Sequence, residues 1–174
     1  MTAILAYREG KSAWIGGDGE ISDGDTRVSS PDPKVWKPRP GLLTGASGGL
    51  AWCDKVAWFD WPSPAVLTDA WIRKQMIQRL RSGLTDADLG EDDSEDSAAP
   101  EAIVIARDRT YTVTPRGVYL VMDPWMAVGS GAREAMSACA GAKSLRGARR
   151  VRAALEIAGR YAVGTGPPYT VLRA

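Results

Sequence analysis

Predicted strands and helices fall into blocks along the chain, and this block order constrains the fold more than any other feature. Apolar runs and turn residues predict a block of strands, a helix pair, a second block of strands, a second helix pair and a closing strand. Segregated blocks favour an α+β architecture over alternating βαβ units. We therefore expect a four-layer α/β/β/α sandwich, in which two antiparallel sheets stack face to face and each carries a helix pair outside.

Strands are predicted at apolar runs bounded by turn residues, and helices where apolar residues follow the helical period. The first helix opens at Gly48-Gly49 and reaches about Trp58, with Leu50, Cys53 and Val56-Ala57 on one side. The second follows Thr68, a preferred N-cap residue. Segment 23–33 is rich in Asp, Gly, Ser and Pro and is predicted to be irregular loop. The predicted strands are 2–7, 12–17, 34–36, 42–46, 101–107, 110–114, 117–122, 126–128 and 169–172; the third helix ends near 141 and the fourth spans 145–160.

A single domain is expected over residues 1–174, because 44% apolar and 25% charged residues are typical of one folded globular unit. One segment differs in composition: residues 86–96 contain seven acidic residues and no basic one. Mutual repulsion keeps such a segment out of a core, so we predict an exposed loop over 86–99. A docking patch is the alternative interpretation of the same charges.

Charge and cysteine content predict a cytoplasmic protein. The formal charge of +1 gives no electrostatic reason to expect a nucleic-acid or membrane partner. No apolar run approaches the roughly 20 residues of a membrane span, and no secretory signal is visible. Cys53 and Cys139 lie far apart in apolar settings, which indicates buried free thiols in a reducing compartment.

The chain contains no histidine, and this absence narrows the chemistry. It excludes Ser-His-Asp and Cys-His catalysis and histidine-based zinc sites. A base that acts near neutral pH must then be an α-amine, a lysine or a carboxylate. Removal of Met1 would leave Thr2 with a hydroxyl and an α-amine, and a free α-amine titrates near pH ~8. Such an amine can take the proton of its own hydroxyl, which makes Thr2 a candidate nucleophile.

Strand geometry is expected to place a carboxylate beside Thr2. Strands 2–7 and 12–17 are joined by a short polar turn, so the end of the second lies beside the start of the first. Asp18 is therefore expected close to Thr2. Taken alone, each candidate has a plainer explanation: Asp18-Gly19 as a hairpin turn, Lys34 as a solvated surface lysine, Gly48-Gly49 as a helix start and Ser130 as an N-cap.

Taken together, these residues resemble the proteasome β-subunits, and most closely the bacterial HslV threonine peptidases. Several short stretches carry the similarity, in register over nearly the whole chain. They are Thr2-Ala3-Ile4, Gly16-Gly17-Asp18-Gly19, Lys34-Val35, Gly45-Ala46-Ser47-Gly48-Gly49, Gly129-Ser130-Gly131 and Ala154-Leu155-Glu156-Ile157-Ala158-Gly159. No stretch is specific alone, but their spacings agree with the family. The resemblance implies an N-terminal nucleophile (Ntn) hydrolase fold.

The resemblance also implies catalytic roles at the matching positions. Thr2 corresponds to the nucleophile, Lys34 to the cation beside it, and Asp18 to the carboxylate that keeps Lys34 charged and oriented. The backbone N–H of Gly48 corresponds to the oxyanion donor, and Ser130 to the hydroxyl that relays the proton of the Thr2 amine. While the initiator methionine is attached, the Thr2 nitrogen is an amide without a basic lone pair. The small threonine at the second position predicts that this methionine is removed.

By the same resemblance, four apolar residues line the pocket for the substrate residue before the cut. They are Ile21, Val28, Ala46 and Leu50. An apolar pocket predicts a preference for an apolar substrate side chain.

Two further implications concern the end of the last helix. Gly159, Ala162 and Thr165 match positions where HslV-like proteins bind sodium through backbone carbonyls, so a sodium ion is allowed and no cofactor is required. The family usually places an aspartate near the catalytic amine in this stretch, and Arg160 takes the corresponding place here. A cation there disfavours a protonated amine during the cycle.

Three functions are consistent with these features. The first is a threonine endopeptidase that cleaves unfolded polypeptides inside a homo-oligomeric ring. A separate ATP-driven unfoldase would deliver its substrates, because nothing in the chain resembles a phosphate-binding loop. The second is an Ntn amidohydrolase that acts on a small amide through Thr2. The third is a catalytically inactive, proteasome-like structural or assembly subunit, because a shared fold does not ensure a shared activity.

Overall fold

The computed structural model describes residues 2–23, 26–90 and 99–174. Within these residues, two large antiparallel sheets stack face to face and helices cover both outer faces. The α+β sandwich predicted from the block order is confirmed. In this part of the chain, no helix is long and apolar enough to cross a membrane.

The strands of the described residues form two large sheets and one small one. They are β1 (Ile4–Glu9), β2 (Ser12–Asp18), β3 (Glu20–Asp23), β4 (Thr26–Ser29), β5 (Val35–Arg39), β6 (Leu42–Ser47), β7 (Glu101–Ala106), β8 (Arg109–Thr114), β9 (Gly117–Val121), β10 (Trp125–Val128) and β11 (Tyr169–Arg173). A four-stranded sheet has the order β10-β1-β2-β11, and a five-stranded sheet has the order β5-β6-β7-β8-β9. The remaining pair, β3 and β4, is a separate two-stranded sheet.

Within the described residues, two helices cover each large sheet. The five-stranded sheet carries α1 (Leu50–Ala57) and α2, which passes from α-helix (Asp69–Trp71) through a π-helical turn (Ile72–Met76) to α-helix (Ile77–Arg81). The four-stranded sheet carries α3 (Ala132–Gly141) and α4 (Gly147–Tyr161). Thr68 caps α2 as predicted, because its Oγ1 accepts a hydrogen bond from the Trp71 N–H at 3.2 Å.

Side chains alternate across each strand, so the core divides into three layers. In β1, Leu5 and Tyr7 pack with α3 and α4, whereas Ile4 and Ala6 pack against the opposite sheet. In β6 and β7, alternate side chains likewise pack between the two sheets or beneath α1 and α2. The buried residues between the sheets are Ile4, Ala6, Ala13, Ile15, Val35, Leu43, Ile103, Ile105 and Val128.

The prediction of an irregular loop over residues 23–33 is wrong at residues 23 and 26–29, and residues 24 and 25 lie outside the described residues. Thr26–Ser29 forms β4 and pairs with β3, in a register that places Ile21 opposite Val28. All four residues of β4 are exposed, so this short ribbon carries no buried apolar face that a sequence pattern could show.

The side of α1 formed by Leu50, Cys53 and Val56-Ala57 is only partly buried, because Val56 is buried whereas Leu50 is 71% exposed. One burial prediction is also wrong. Leu89 lies within the acidic segment that was predicted to stay out of the core, yet it packs into the core of the five-stranded sheet and its helices. Residues 91–98 of that segment lie outside the described residues. The other predicted strands and helices are present, with ends displaced by a few residues.

Glycine at position 45 allows the two sheets to approach each other. A Cβ built on Gly45 in β6 would lie 2.8 Å from Ile4 Cγ2, 3.0 Å from Val35 Cγ1 and 3.1 Å from Ile15 Cδ1. Ile4 and Ile15 belong to the opposite sheet, so even one methyl group would overpack the space between the sheets.

Gly45→Ala is therefore expected to destabilise the fold by about 1–3 kcal/mol, the usual range for overpacking a core. Gly117→Ala is the matched control, because Gly117 begins β9 of the same sheet and its added Cβ has no neighbour within 4 Å. Thermal unfolding of both variants at equal protein concentration measures the difference. Equal melting temperatures for the two variants would contradict this account of the sheet packing.

Candidate active site

Thr2 lies two residues before the start of β1 and is held by the loop Gly129-Ser130-Gly131, which joins β10 to α3. The Gly131 N–H donates to the Thr2 carbonyl oxygen at 3.1 Å, and the Thr2 N–H donates to Ser130 Oγ at 3.1 Å. Gly129 has a φ of +91°, and a Cβ there would clash with the Thr2 carbonyl oxygen. The interpretation of Ser130 as an N-cap is wrong, because the cap position of α3 belongs to Gly131. The loop thus contacts both polar groups of the Thr2 backbone.

Asp18 ends β2 beside the start of β1, where the antiparallel register was expected to place it. Its backbone N–H donates to the Ala3 carbonyl oxygen at 3.3 Å, and its Oδ1 accepts the Ala3 N–H at 2.8 Å. Its Oδ2 accepts the Glu20 N–H at 3.1 Å and the Gly166 N–H at 3.4 Å. The interpretation of Asp18-Gly19 as a hairpin turn is wrong, because β2 pairs with β1 and β11 while β3 pairs with β4.

Lys34 precedes β5 on the opposite sheet and reaches across to Thr2 and Asp18. Its Nζ lies 2.9 Å from Thr2 Oγ1, and 3.2 and 3.1 Å from Asp18 Oδ1 and Oδ2. It also donates to the Glu20 carbonyl oxygen. The exposed fractions of the Lys34 and Asp18 side chains are 14% and 0%, so the interpretation of Lys34 as a solvated surface lysine is wrong.

The three side chains form a chemically coherent group. A buried ion pair is tolerated only when further hydrogen bonds offset the loss of hydration, and the backbone donors around Asp18 supply them. A cation 2.9 Å from the Thr2 hydroxyl favours its alkoxide form, because the positive charge stabilises the developing negative charge. The arrangement can therefore activate an oxygen nucleophile without any histidine.

Gly48 follows β6 at the start of α1, as expected for a helix start. Its φ is +116°, and an added Cβ would lie 2.8 Å from Pro100 Cα, so this turn needs glycine. Gly49 occupies the N-cap position with no side-chain cap, which leaves backbone N–H groups at this helix end. The role of the Gly48 N–H as an oxyanion donor stays a prediction.

Two further groups lie near Lys34 and were not among the predicted site residues. The Glu20 carbonyl accepts its ammonium, and no side-chain pattern could have predicted a backbone acceptor. Cys53, in the first turns of α1, interacts electrostatically with Lys34. Burial raises the pKa of the Cys53 thiol to about 11, and the nearby Lys34 cation opposes this rise only in part.

The four residues predicted to line a substrate pocket lie on different elements. Ile21 and Val28 face each other across the β3–β4 hairpin, and Val28 is 53% exposed. Ala46 is buried in β6 beneath the outer helices, and Leu50 is exposed at the start of α1. The pocket itself stays a prediction.

The residues predicted to bind sodium lie close together at the end of α4. A Cβ on Gly159 would lie 3.2 Å from the Thr165 carbonyl oxygen, and one on Gly131 would lie 3.3 Å from Ala162 Cβ and 2.8 Å from Thr165 Oγ1. The Thr165 hydroxyl is buried and has no hydrogen-bond partner within the described part of the chain. Oxygen donors of this kind suit a hard cation, and the sodium ion itself stays a prediction. Arg160 is exposed in the last turn of α4.

Thr2 lies before β1, an inner strand of the four-stranded sheet, and Lys34 reaches it from the other sheet, which is consistent with an Ntn-hydrolase sandwich. Comparison with solved structures specifies it further. HslV from Trypanosoma brucei matches with a TM-score of 0.72 at 20% identity, over 98% of this chain and 98% of that chain. BPH from Thiobacillus denitrificans matches with a TM-score of 0.72 at 19% identity, over 99% of this chain and 97% of that chain.

The structure of Thiobacillus denitrificans BPH in complex with epoxomicin also matches, with a TM-score of 0.73 at 17% identity over 99% of this chain and 97% of that chain. The chain therefore has the HslV/proteasome β-type fold over nearly its whole length. No protein-family model matches the sequence, and no curated protein matches it. At these identities the likeness establishes the fold, and the chemistry must be argued from the site.

Asp18→Asn should destabilise the protein by about 3–5 kcal/mol, because it leaves the largely buried Lys34 cation without its anion. The matched control is Glu9→Gln, which removes the exposed ion pair with Arg146 at 3.0 Å and should cost about 0–1 kcal/mol. Chemical unfolding followed by fluorescence measures both. If Asp18→Asn is as stable as the control, the Lys34–Asp18 pair does not organise this site.

Proposed function

We propose that the chain is a threonine-type peptidase whose nucleophile is Thr2. The observation that carries the proposal is the 2.9 Å contact between Lys34 Nζ and Thr2 Oγ1, in a group that includes the buried Asp18 carboxylate. A buried lysine ammonium loses hydration free energy, so a lysine without a function in this group would stay in solvent. The burial of Lys34 is explained if its cation stabilises negative charge on the Thr2 hydroxyl oxygen.

The proposed reaction requires that Met1 is removed, so that the Thr2 nitrogen becomes a free amine. This amine takes the proton from Oγ, and Ser130 Oγ, 3.1 Å from the nitrogen, relays it. The oxygen attacks a peptide carbonyl while the Gly48 N–H stabilises the oxyanion. The tetrahedral intermediate expels the leaving amine, which receives the proton. Water then hydrolyses the resulting ester and regenerates Thr2.

We further propose that the substrates are unfolded polypeptides and that the chain assembles into a homo-oligomeric ring in the cytoplasm. The support is the fold shared with HslV and BPH over nearly the full length of each chain. A separate ATP-driven unfoldase is the partner this arrangement needs, because a ring with inward-facing sites admits only unfolded chains. Gly159, Ala162 and Thr165 would hold a sodium ion, which would stiffen the loop after α4.

A second candidate is a non-catalytic structural subunit of the same fold. The observation that favours it is Arg160, a cation at the place where the resembled family carries an acid. Retention of Met1 in protein from the natural host would select this candidate, because an amide nitrogen cannot act as the base.

Thr2→Ala should abolish hydrolysis of a fluorogenic peptide, and Lys34→Ala should lower kcat by about three orders of magnitude or more, as loss of one member of a catalytic group does. Lys37→Ala is the matched control, because Lys37 is exposed and its Nζ contacts only the Arg173 carbonyl oxygen at 2.8 Å among the hydrogen bonds described. Full activity in Thr2→Ala or in Lys34→Ala would exclude the proposed site.

Peptides with an apolar residue before the cut are expected to be cleaved best, because Ile21, Val28, Ala46 and Leu50 supply only apolar side chains. A peptide panel that varies this residue should show kcat/KM values about tenfold or more above those for charged residues, whose burial costs free energy. Best cleavage after an acidic or a basic residue would show that other residues form the pocket.

A further inference from the structure

The loop Gly129-Ser130-Gly131 is the element that must be placed correctly if Thr2 is to react. It contacts the Thr2 nitrogen through Ser130 Oγ and the Thr2 carbonyl oxygen through the Gly131 N–H, each at 3.1 Å. A shift of this loop would therefore move the proton relay relative to the nucleophile. The position of the loop therefore also depends on contacts that its first residue, Gly129, makes with residues outside the loop.

Glu101 makes such a contact from the opposite sheet. Its Oε2 accepts the Gly129 N–H at 3.2 Å. Glu101 begins β7 of the five-stranded sheet, whereas Gly129 follows β10 of the four-stranded sheet. The hydrogen bond therefore ties the two sheets together next to Thr2.

The backbone of Glu101 is itself fixed to the elements on the Gly48 side of the site. Its carbonyl oxygen accepts the Trp52 Nε1–H at 3.2 Å, and Trp52 is fully buried in α1. In the strand register Glu101 lies opposite Ser47, the residue before Gly48. One residue thus connects the helix that follows Gly48 with the loop that holds Thr2.

A carboxylate is an unusual choice at this place in the strand. Residues two and four positions along β7 on the same face are Ile103 and Ile105, which are buried between the sheets. A charged group on such a face costs free energy unless it makes a useful hydrogen bond. The Glu101 side chain makes such a bond, because its Oε2 accepts the Gly129 N–H at 3.2 Å.

We propose that Glu101 is a positioning residue of the active site, which sets the Gly129-Ser130-Gly131 loop and with it Ser130 Oγ against the Thr2 nitrogen. This inference rests on the proposed peptidase function for its effect on catalysis. Its structural half, the placement of the loop, does not depend on that function.

The experiment compares Glu101→Ala with Glu101→Gln in the full-length protein, and uses Glu9→Ala, at the far end of β1, as the control. Hydrogen exchange followed by mass spectrometry reports on residues 129–131, and peptide hydrolysis gives kcat and KM. In Glu101→Ala the exchange should accelerate about tenfold, as loss of one hydrogen bond predicts. Its kcat should fall about 10- to 100-fold with KM changed less than about threefold, because positioning is lost and binding is not.

Glu101→Gln keeps an acceptor oxygen of the same reach, so both readouts should stay within about threefold of the wild type. If the alanine variant does not fold, Glu101→Asp replaces it, since its shorter side chain withdraws the acceptor and should give the same losses. The control should match the wild type.

Wild-type exchange and kcat in Glu101→Ala would overturn the inference, and so would losses in Glu101→Gln as large as those in Glu101→Ala. A change in only one of the two readouts, exchange or kcat, in Glu101→Ala would also overturn it. A wild-type protein that lacks its methionine yet hydrolyses nothing would instead refute the proposed function. The exchange measurement would then still decide whether Glu101 sets the loop.

Discussion

The buried ion pair between Lys34 and Asp18 is the interaction on which the site depends. A single buried charge at this place would lose its hydration without compensation. Lys34 and Asp18 offset this loss by pairing with each other and with backbone groups. The pair joins the end of β2 to the start of β5 and so fixes the two sheets relative to each other. It leaves one ammonium proton directed at the Thr2 hydroxyl, because Nζ lies 2.9 Å from Oγ1.

The stacked sheets explain how such distant residues meet. Thr2 and Asp18 come from neighbouring strands of one sheet, and Lys34 comes from the edge of the other. Close packing of the two sheets, permitted by Gly45, keeps the lysine within reach. The loop after β10 then completes the surroundings of Thr2 from a position far along the chain. The reactive group is therefore a product of the sandwich rather than of any one segment.

Much of this could be predicted from the sequence, for identifiable reasons. The block order predicts the layers because each element must bury one apolar face. The antiparallel turn after β1 predicts that Asp18 lies beside Thr2, where its Oδ1 accepts the Ala3 N–H at 2.8 Å. The placement of Lys34 follows only from the family resemblance, since nothing in its local sequence distinguishes it from an exposed lysine.

Other features carry no signal that a sequence pattern reveals. The exposed strand β4 has no buried face, and Leu50 is exposed although it belongs to the apolar side of α1. The Glu20 carbonyl that contacts Lys34 is a backbone group, which any residue type would provide. Glu101 is the exception, since an acid at the start of an otherwise apolar strand could have been singled out.

Peptide-level mass spectrometry of the natively expressed protein, after treatment with a peptide epoxyketone, tests the central claim most directly. The first peptide is expected to begin at Thr2 and to carry the adduct on that residue. A first peptide that begins at Met1 and carries no adduct would contradict it.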